Sequence, residues 1–175
     1  VDQADVDRIT GHWLSRQYPA YDLDDSGVVD IGDIQRVIAV LEGRVDAQRS
    51  VRSAVRQTDT TLQADVVPEA VTENETFTVA INIENPSDLA GIQALLTFNP
   101  MIVELVQAEL ANGFTTEDRD MVMLGPRVGP RQEGGVRPLL FGMFSQGSGS
   151  GMNEGGVFIR ITFTAVSSGS PGLEM

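Results

Sequence analysis

Apolar residues in the first quarter of the chain recur at the spacing of a helix face. Two such stripes are present, and they consist of Val6, Ile9 and Trp13 in the first and of Ile34, Val37, Ile38 and Leu41 in the second. Gly43 follows the second stripe and is suited to end its helix, because glycine readily adopts the left-handed conformation found there. Between the stripes, Pro19 interrupts helical structure. The pattern predicts two short helices within residues 1–43.

From residue 61 onward, apolar and polar residues alternate, as in strands with one buried face. The alternation is clear in residues 76–83, 92–99 and 157–163, and shorter candidate strands are residues 65–67, 101–106 and 138–144. Turn sequences containing asparagine and proline separate several of these runs. Many short strands without an intervening helix predict a mainly β domain over residues 61–175, an antiparallel β-sandwich of the jelly-roll or immunoglobulin-like type.

Two further stretches lack a clear period. Residues 44–60 carry Arg44, Arg49, Arg52 and Arg56 but few large apolar residues, which predicts a partly helical linker between the two parts of the chain. Within residues 113–156, the pairs Gly125-Pro126 and Gly129-Pro130 and the Gly/Ser run at residues 146–151 predict loops. The predicted organisation is therefore a helical part (1–43), a linker (44–60) and a sandwich (61–175).

Composition narrows the function classes. The 175 residues carry a formal net charge of −13, which argues against nucleic acid as a partner, and no apolar run approaches the roughly 20 residues of a membrane span. Cysteine is absent and all 12 basic residues are arginine, so thiol and lysine chemistry are excluded. His12 is the only histidine, so a single chain cannot assemble a histidine-based triad or a multi-histidine metal site. These absences predict that the protein is not an enzyme.

The stretch from Asp22 to Asp33 carries oxygen-bearing side chains at the spacing that a calcium loop requires. They fall at loop positions 1, 3, 5, 9 and 12, with Gly27 at the sharp turn of position 6. The predicted ligands are Asp22, Asp24, Ser26, Val28 through its backbone carbonyl, Asp30 directly or through water, and Asp33. Without a cation these carboxylates repel one another. The alternative interpretation is a solvated acidic turn in which Asp33 caps the following helix.

Part of this pattern occurs a second time. Residues 1–9 match residues 29–37 at a constant offset of 28, which aligns Asp2 with Asp30 and Asp5 with Asp33. Asp2 and Asp5 then correspond to positions 9 and 12 of a first calcium loop. We expect the opening residues of that loop to lie upstream of Val1.

Two tandem segments of this kind, each a calcium loop followed by one helix, resemble a dockerin module. Aspartate rather than glutamate at position 12 is similar to the dockerin pattern, whereas Ser26 departs from the acidic or amide residue more usual there. The resemblance implies a calcium cofactor, the ligands given above, and a partner protein bound through residues around the last ligand and on the helix. Those residues are Gln3, Ala4 and Arg8 in the first repeat and Ile31, Gly32 and Arg36 in the second. A calcium-binding fold of another family is the alternative.

The sandwich part resembles a cohesin, the domain that dockerins bind. Residues 91–105 are similar to the cohesin segment in which a glycine-led strand ends in an aromatic-Asn-Pro turn, here Phe98-Asn99-Pro100. Residues 156–163 are similar to a late cohesin strand, and Ser167-Ser168-Gly169 to the turn after it. By this resemblance, one or two closing strands come after Met175 or from another subunit. Another immunoglobulin-like sandwich is the alternative.

Together these resemblances imply a calcium-dependent protein–protein interaction and assembly module of an extracellular, cell-surface structure. One expectation is head-to-tail self-assembly, in which the dockerin-like part of one subunit binds the sandwich of the next and builds filaments. A second is a scaffold or adhesion protein that binds foreign dockerin-bearing enzymes or surface glycans. A third is a purely structural spacer.

Overall fold

The computed structural model describes residues 1–43, 60–65, 67–111, 119–147 and 151–175, with Arg119 described by its backbone alone. The helices are α1 (Gln3–Gly11) and α2 (Ile31–Leu41), with a 3-10 turn at Pro19–Tyr21 between them. The strands are β1 (Thr61–Ala64), β2 (Thr76–Glu84), β3 (Gly91–Phe98), β4 (Val103–Leu110), β5 (Arg119–Val128), β6 (Arg137–Gly147) and β7 (Gly156–Ala165). The predicted linker at residues 44–60 lies outside the described residues, except for Thr60.

The two predicted helices are present, and both begin in the same way. In α1, the Asp2 carboxylate accepts hydrogen bonds from the backbone of the first turn, while Asp5 Oδ2 accepts from the Asp2 N–H at 3.1 Å. Asp30 and Asp33 form the same reciprocal arrangement at the start of α2. Each pair satisfies N–H groups that the first turn of a helix leaves unpaired. Gly43 follows α2 with a φ of 68°, as predicted for the residue that ends it.

The strands form two packed antiparallel sheets, which confirms the predicted mainly β domain. One sheet has the order β1-β2-β7-β4 and the other has the order β3-β6-β5. The alternating runs predicted from the sequence direct Val79, Ile81, Leu96, Ile161 and Phe163 into the interior between the sheets. Burial of these apolar side chains is the main stabilising contribution to the sandwich.

The bounds of two predicted short strands were wrong, and so was one predicted loop. The first strand covers residues 61–64 rather than 65–67, and β4 starts at Val103 and runs to Leu110 rather than covering residues 101–106. Gly125-Pro126 lies inside β5 and not in a loop. There the pairing with β6 shifts register between Leu124 and Arg127, and this irregularity accommodates a residue that cannot donate to the ladder. A Cβ at Gly125 would lie 2.8 Å from the Leu140 carbonyl oxygen, so only glycine fits this bulge.

The Gly/Ser run predicted as a loop is only partly described. Gln146 and Gly147 form the end of β6, and residues 148–150 lie outside the described part of the chain. Within the described part, the longest helix has 11 residues and is too short to cross a bilayer.

The two sheets present very different outer faces. On the β1-β2-β7-β4 sheet, outward threonines pair across strands, with hydroxyl oxygens 3.0 Å apart between Thr76 and Thr164 and between Thr78 and Thr162. On the β3-β6-β5 sheet, outward Leu124 and Phe144 join Val6, Ile9, Ile34 and the other buried side chains of residues 1–43 in a second apolar cluster. Residues 1–43, here called the helical unit, therefore pack on the outer face of this sheet, over β5 and β6.

Candidate functional site

The acidic loop brings three of the predicted calcium ligands together. Asp22, Asp24 and Asp33 each offer a carboxylate oxygen, and these three oxygens lie within 4.8 Å of one another. Oxygens on opposite sides of a calcium ion lie about 4.6–5.2 Å apart, since each is 2.3–2.6 Å from the ion. The described loop therefore fits a calcium ion between these carboxylates.

Asp33 is the buried member of the group. Its Oδ1 accepts a hydrogen bond from the Leu23 N–H at 2.6 Å, and its Oδ2 accepts from the Asp30 N–H at 2.8 Å. Burial raises the pKa of Asp33, helped by the nearby carboxylates of Asp24 and Asp30 and opposed by these two hydrogen bonds. The N-cap of α2 is Asp30, and Asp33 completes the capping box from the third helical position, so the alternative interpretation, with Asp33 as the cap of a solvated turn, is wrong in both respects. The capping-box role of Asp33 is compatible with metal binding, because each carboxylate oxygen has a second lone pair.

Asp22 closes the turn of the loop. Burial acts to raise the pKa of Asp22, but the N–H groups of Gly27 and Ser26 donate to its carboxylate, and the net pKa lies below the ordinary value. The N–H of Gly27 donates at 2.7 Å, and Gly27 has a φ of 92°, which suits glycine. The chain therefore turns around the Asp22 carboxylate at the predicted position.

The other predicted ligands of this loop, Ser26, Val28 and Asp30, take part in local hydrogen bonds. The Ser26 hydroxyl donates to the Val28 carbonyl at 3.0 Å, so these two predicted ligand oxygens lie next to each other. Asp30 Oδ1 accepts from the Gly32 N–H at 2.7 Å, and its predicted ligation, directly or through water, stays a prediction. Asp2 and Asp5 serve α1 as caps, and their ligand role remains a prediction.

Replacing Asp33 with alanine is expected to destabilise the metal-free helical unit by about 1–3 kcal/mol, because two partly buried hydrogen bonds, from the Leu23 and Asp30 N–H groups, lose their acceptor. Thermal unfolding followed by circular dichroism would measure the change. The matched control is Asp7→Ala on the exposed side of α1, for which we expect a change within about 0.5 kcal/mol. Equal changes in the two variants would contradict the assigned role of Asp33.

The helical unit is anchored on the sheet by Trp13. Its indole is 4% exposed and lies against the backbone of two glycines, Gly125 and Gly142. An added Cβ at either glycine would be 3.4 Å from the ring. The same position at Gly142 would lie 3.5 Å from Cδ1 of Ile31 on α2. Two glycines in neighbouring strands thus form a shallow seat that admits a large aromatic ring.

Polar contacts fix the orientation of the unit on this seat. Trp13 Nε1 donates to Gln93 Oε1 on β3 at 2.8 Å, and Arg127 Nη1 on β5 donates to the Trp13 carbonyl at 3.0 Å. On α2, Gln35 Nε2 donates to the Ala90 carbonyl at 2.8 Å. These bonds satisfy partly buried groups on both sides and favour this placement of the helices across the strands.

The predicted partner-binding residues fall into two groups. Ile31 packs in the cluster between the helical unit and the sheet, and Gln3 Oε1 accepts a hydrogen bond from Gln146 Nε2 at the end of β6. Gly32 and Arg36 lie at the acidic loop, where Arg36 Nη2 is 4.0 Å from Asp24 Oδ2. Ala4 and Arg8 are exposed, and Arg8 is paired with Asp5 at 3.0 Å. The structure thus places Ile31 and Gln3 against the sandwich of the same chain.

The sequence prediction missed the residues of the seat. The usable signal was residues 138–144, an apolar run without alternation, which is typical of a strand buried on both faces. In β6, Leu139, Phe141 and Met143 face the interior while Phe144 faces the helices. His12 also finds a packing role, stacked on Tyr21 with ring centroids 4.7 Å apart.

Comparison with known proteins identifies the sandwich. A family model described as the cohesin domain matches residues 61–174. The sixth cohesin of scaffoldin B from Acetivibrio cellulolyticus, solved with a Cel5 dockerin mutant, is 13% identical with a TM-score of 0.41, over 62% of this chain and 72% of that one. The seventh ScaB type I cohesin from Pseudobacteroides cellulosolvens is 21% identical with a TM-score of 0.37, over 55% of this chain and 60% of that one.

A third similar structure is the Coh-OlpC–Doc435 complex, a type I cohesin–dockerin complex from Clostridium thermocellum. It is 16% identical with a TM-score of 0.37, and the match covers 59% of this chain and 68% of that one. No protein with a curated description matched the chain.

Proposed function

The chain belongs to the cohesin domain family, whose members are non-enzymatic protein-interaction modules, and we propose that its sandwich binds helical modules built on calcium loops. The observation that carries this proposal is the family match over residues 61–174. The proposed partner is a dockerin-type module. The helical unit of this same chain is one candidate for such a module.

Calcium controls the proposed interaction through the acidic loop. The mutual approach of Asp22, Asp24 and Asp33 supports this part of the proposal. Asp22 at the turn and Asp33 at the start of α2 would hold the ion together with Asp24, so a bound ion would tie the turn to the helix. Because α2 also carries Ile31 and Gln35, which contact the sandwich, the ion stabilises the partner surface as well as the loop.

Self-assembly on the cell surface is the biological role that we propose. The helical unit of one copy binds the sandwich of the next, and such head-to-tail contacts close into rings or extend into filaments. The contact between helical unit and sheet within one chain supports this arrangement, because it demonstrates that the two surfaces are complementary.

Light scattering after size-exclusion chromatography tests the role of calcium. We expect a larger species with calcium than with a chelator, and we expect Asp24→Asn to lower calcium affinity at least tenfold by calorimetry. Asp25→Asn is the matched control, since it removes the same charge from the same loop, outside the ligand set, and asparagine tolerates its φ of 58°. Equal calcium affinity in the two variants, or a monomer under all conditions, would contradict the proposal.

The stabilising effect of calcium is expected to grow with pH. The pKa of Asp33 lies above its ordinary value of 3.8, so the folded, metal-free loop retains its proton above that pH and loses stability as the pH rises through the folded pKa. Calcium requires the ionised form, and the lowered pKa of Asp22 keeps that ligand ionised over the same window. Melting temperatures with and without calcium should therefore diverge from about pH 4 towards pH 7. Asp33→Asn should reduce this divergence.

Family membership also favours a second candidate, a scaffold or adhesion protein that binds foreign dockerin-bearing enzymes or surface glycans. Pull-down with immobilised dockerin-bearing enzymes and with surface polysaccharides separates these from self-assembly. Capture of a dockerin-bearing enzyme by a protein that stays monomeric in calcium would favour the scaffold role.

A further inference from the structure

We infer that the helical unit is exchangeable between copies of this chain: the seat that it occupies on its own β3-β6-β5 sheet also accepts the helical unit of a second copy. The inference rests on the proposed function, because it names the surface and the residues through which copies join. The contact between the helical unit and its own sheet must then break before the contact with a second copy forms.

The helical unit has contacts that hold it together as a body. Leu14 N–H donates to the Val29 carbonyl at 2.7 Å, and Val29 N–H donates to the Ser15 carbonyl at 2.9 Å, so the end of the first repeat is tied to the acidic loop. Buried Ile9 and Ile34 belong to the same apolar cluster. Since these contacts lie within residues 1–43, the unit retains them when it moves from one sheet to another.

The described contacts between unit and sheet are reversible ones. They consist of one aromatic anchor, Trp13, surrounding apolar packing, and a small number of hydrogen bonds such as that from Gln35 to Ala90. The chain has no cysteine that could fix them covalently. An identical copy presents the same groups, so an exchanged unit forms every contact that the original unit formed.

The chain between the two parts is long enough for exchange. Residues 44–59 separate Gly43 from Thr60, and a connection of this length can span at most about 55–60 Å. A small domain is about 30 Å across, so the unit can reach the sheet of a neighbouring copy. Because the two parts belong to one chain, the unit stays near its own sheet at a high effective concentration, so pairing within the chain dominates at μM protein and exchange increases with concentration.

Engineered cysteines distinguish pairing within a chain from pairing between chains, because the native chain has none. A Cβ at Gly91 would lie 3.3 Å from Cγ of Gln35, so cysteines at these two positions come within disulfide reach. A chain carrying both Gln35→Cys and Gly91→Cys is expected to form an internal disulfide. This locked protein should stay monomeric in calcium, at concentrations where the wild-type protein associates.

Mixing two single variants tests the exchange directly. One chain carries Gln35→Cys, the other carries Gly91→Cys, and both are combined at high concentration in chelator before calcium and an oxidant are added. We expect a disulfide-linked heterodimer as the main covalent product. In the control mixture, Thr78→Cys on the outer face of the other sheet replaces Gly91→Cys, and at least tenfold less heterodimer should form.

The two experiments separate failure of this inference from failure of the proposed function. Association of the locked protein to the same extent as wild type would show that copies join through another surface, which overturns the exchange and leaves calcium-dependent assembly intact. Equal amounts of heterodimer in the two mixtures would also overturn it. A heterodimer specific to Gln35→Cys and Gly91→Cys, with a monomeric locked protein, supports it.

Discussion

Replacing Trp13 with alanine is expected to release the helical unit from the sheet while the sandwich stays folded. The indole is almost completely buried, lies over Gly142 and donates to Gln93. Truncation of a buried tryptophan costs about 3–5 kcal/mol, a large share of what holds a unit of 43 residues in place. Helical circular dichroism should therefore be lost at a lower temperature than the β signal, with two separate transitions.

Trp13→Phe is the matched control for this experiment. It retains most of the apolar contact and loses the hydrogen bond to Gln93, so we expect a cost of about 1–2 kcal/mol. A single transition for Trp13→Ala, with helical and β signals lost together, would show that unit and sandwich unfold as one cooperative body. Assembly through an exchangeable unit would then be untenable.

Replacing Phe163 with alanine is expected to destabilise the sandwich itself by about 3–5 kcal/mol. Phe163 lies on the central strand β7, is fully buried, and contacts Phe77 on β2 and Phe98 on the opposite sheet, with ring centroids 5.8 and 5.6 Å away. Removing the ring opens a cavity where the two sheets meet. Chemical denaturation would measure the loss as a lower midpoint at an unchanged slope.

Two controls isolate the cavity. Phe163→Leu keeps an apolar group in place and should cost about 1–1.5 kcal/mol. Thr164→Ala, the next residue along β7, removes a side chain from the outer face and should change stability by less than about 1 kcal/mol. A cost for Phe163→Ala no greater than that for Thr164→Ala would contradict the assignment of the interior.

Much of the sandwich could be predicted from the sequence because most strands have one face exposed to solvent. The alternation in β2, β3 and β7 follows from an outer surface of threonine and other polar residues, and it gave both the strands and their inward side chains. The calcium loop could be predicted for a different reason. Its ligand spacing is a local property of the chain, and the three carboxylates meet where that spacing places them.

The seat could not be predicted because it is created by contacts between distant segments. Strand β6 is covered on both faces, so its alternation is lost, and the Gly-Pro pair in β5 suggests a turn unless its bulge is known. The bond from Trp13 to Gln93 joins residues 80 positions apart. Neither residue has a pattern around it that indicates the other.

The position of Trp13 gives the molecule an intrinsic optical reporter. It is the only tryptophan in the chain, so selectively excited indole emission comes from the seat and from nowhere else. With the unit seated, the ring is shielded from water, and after release it is solvated, which shifts the emission to longer wavelengths. Docking, release and the passage of the unit from one copy to another can therefore be followed in real time in unlabelled protein.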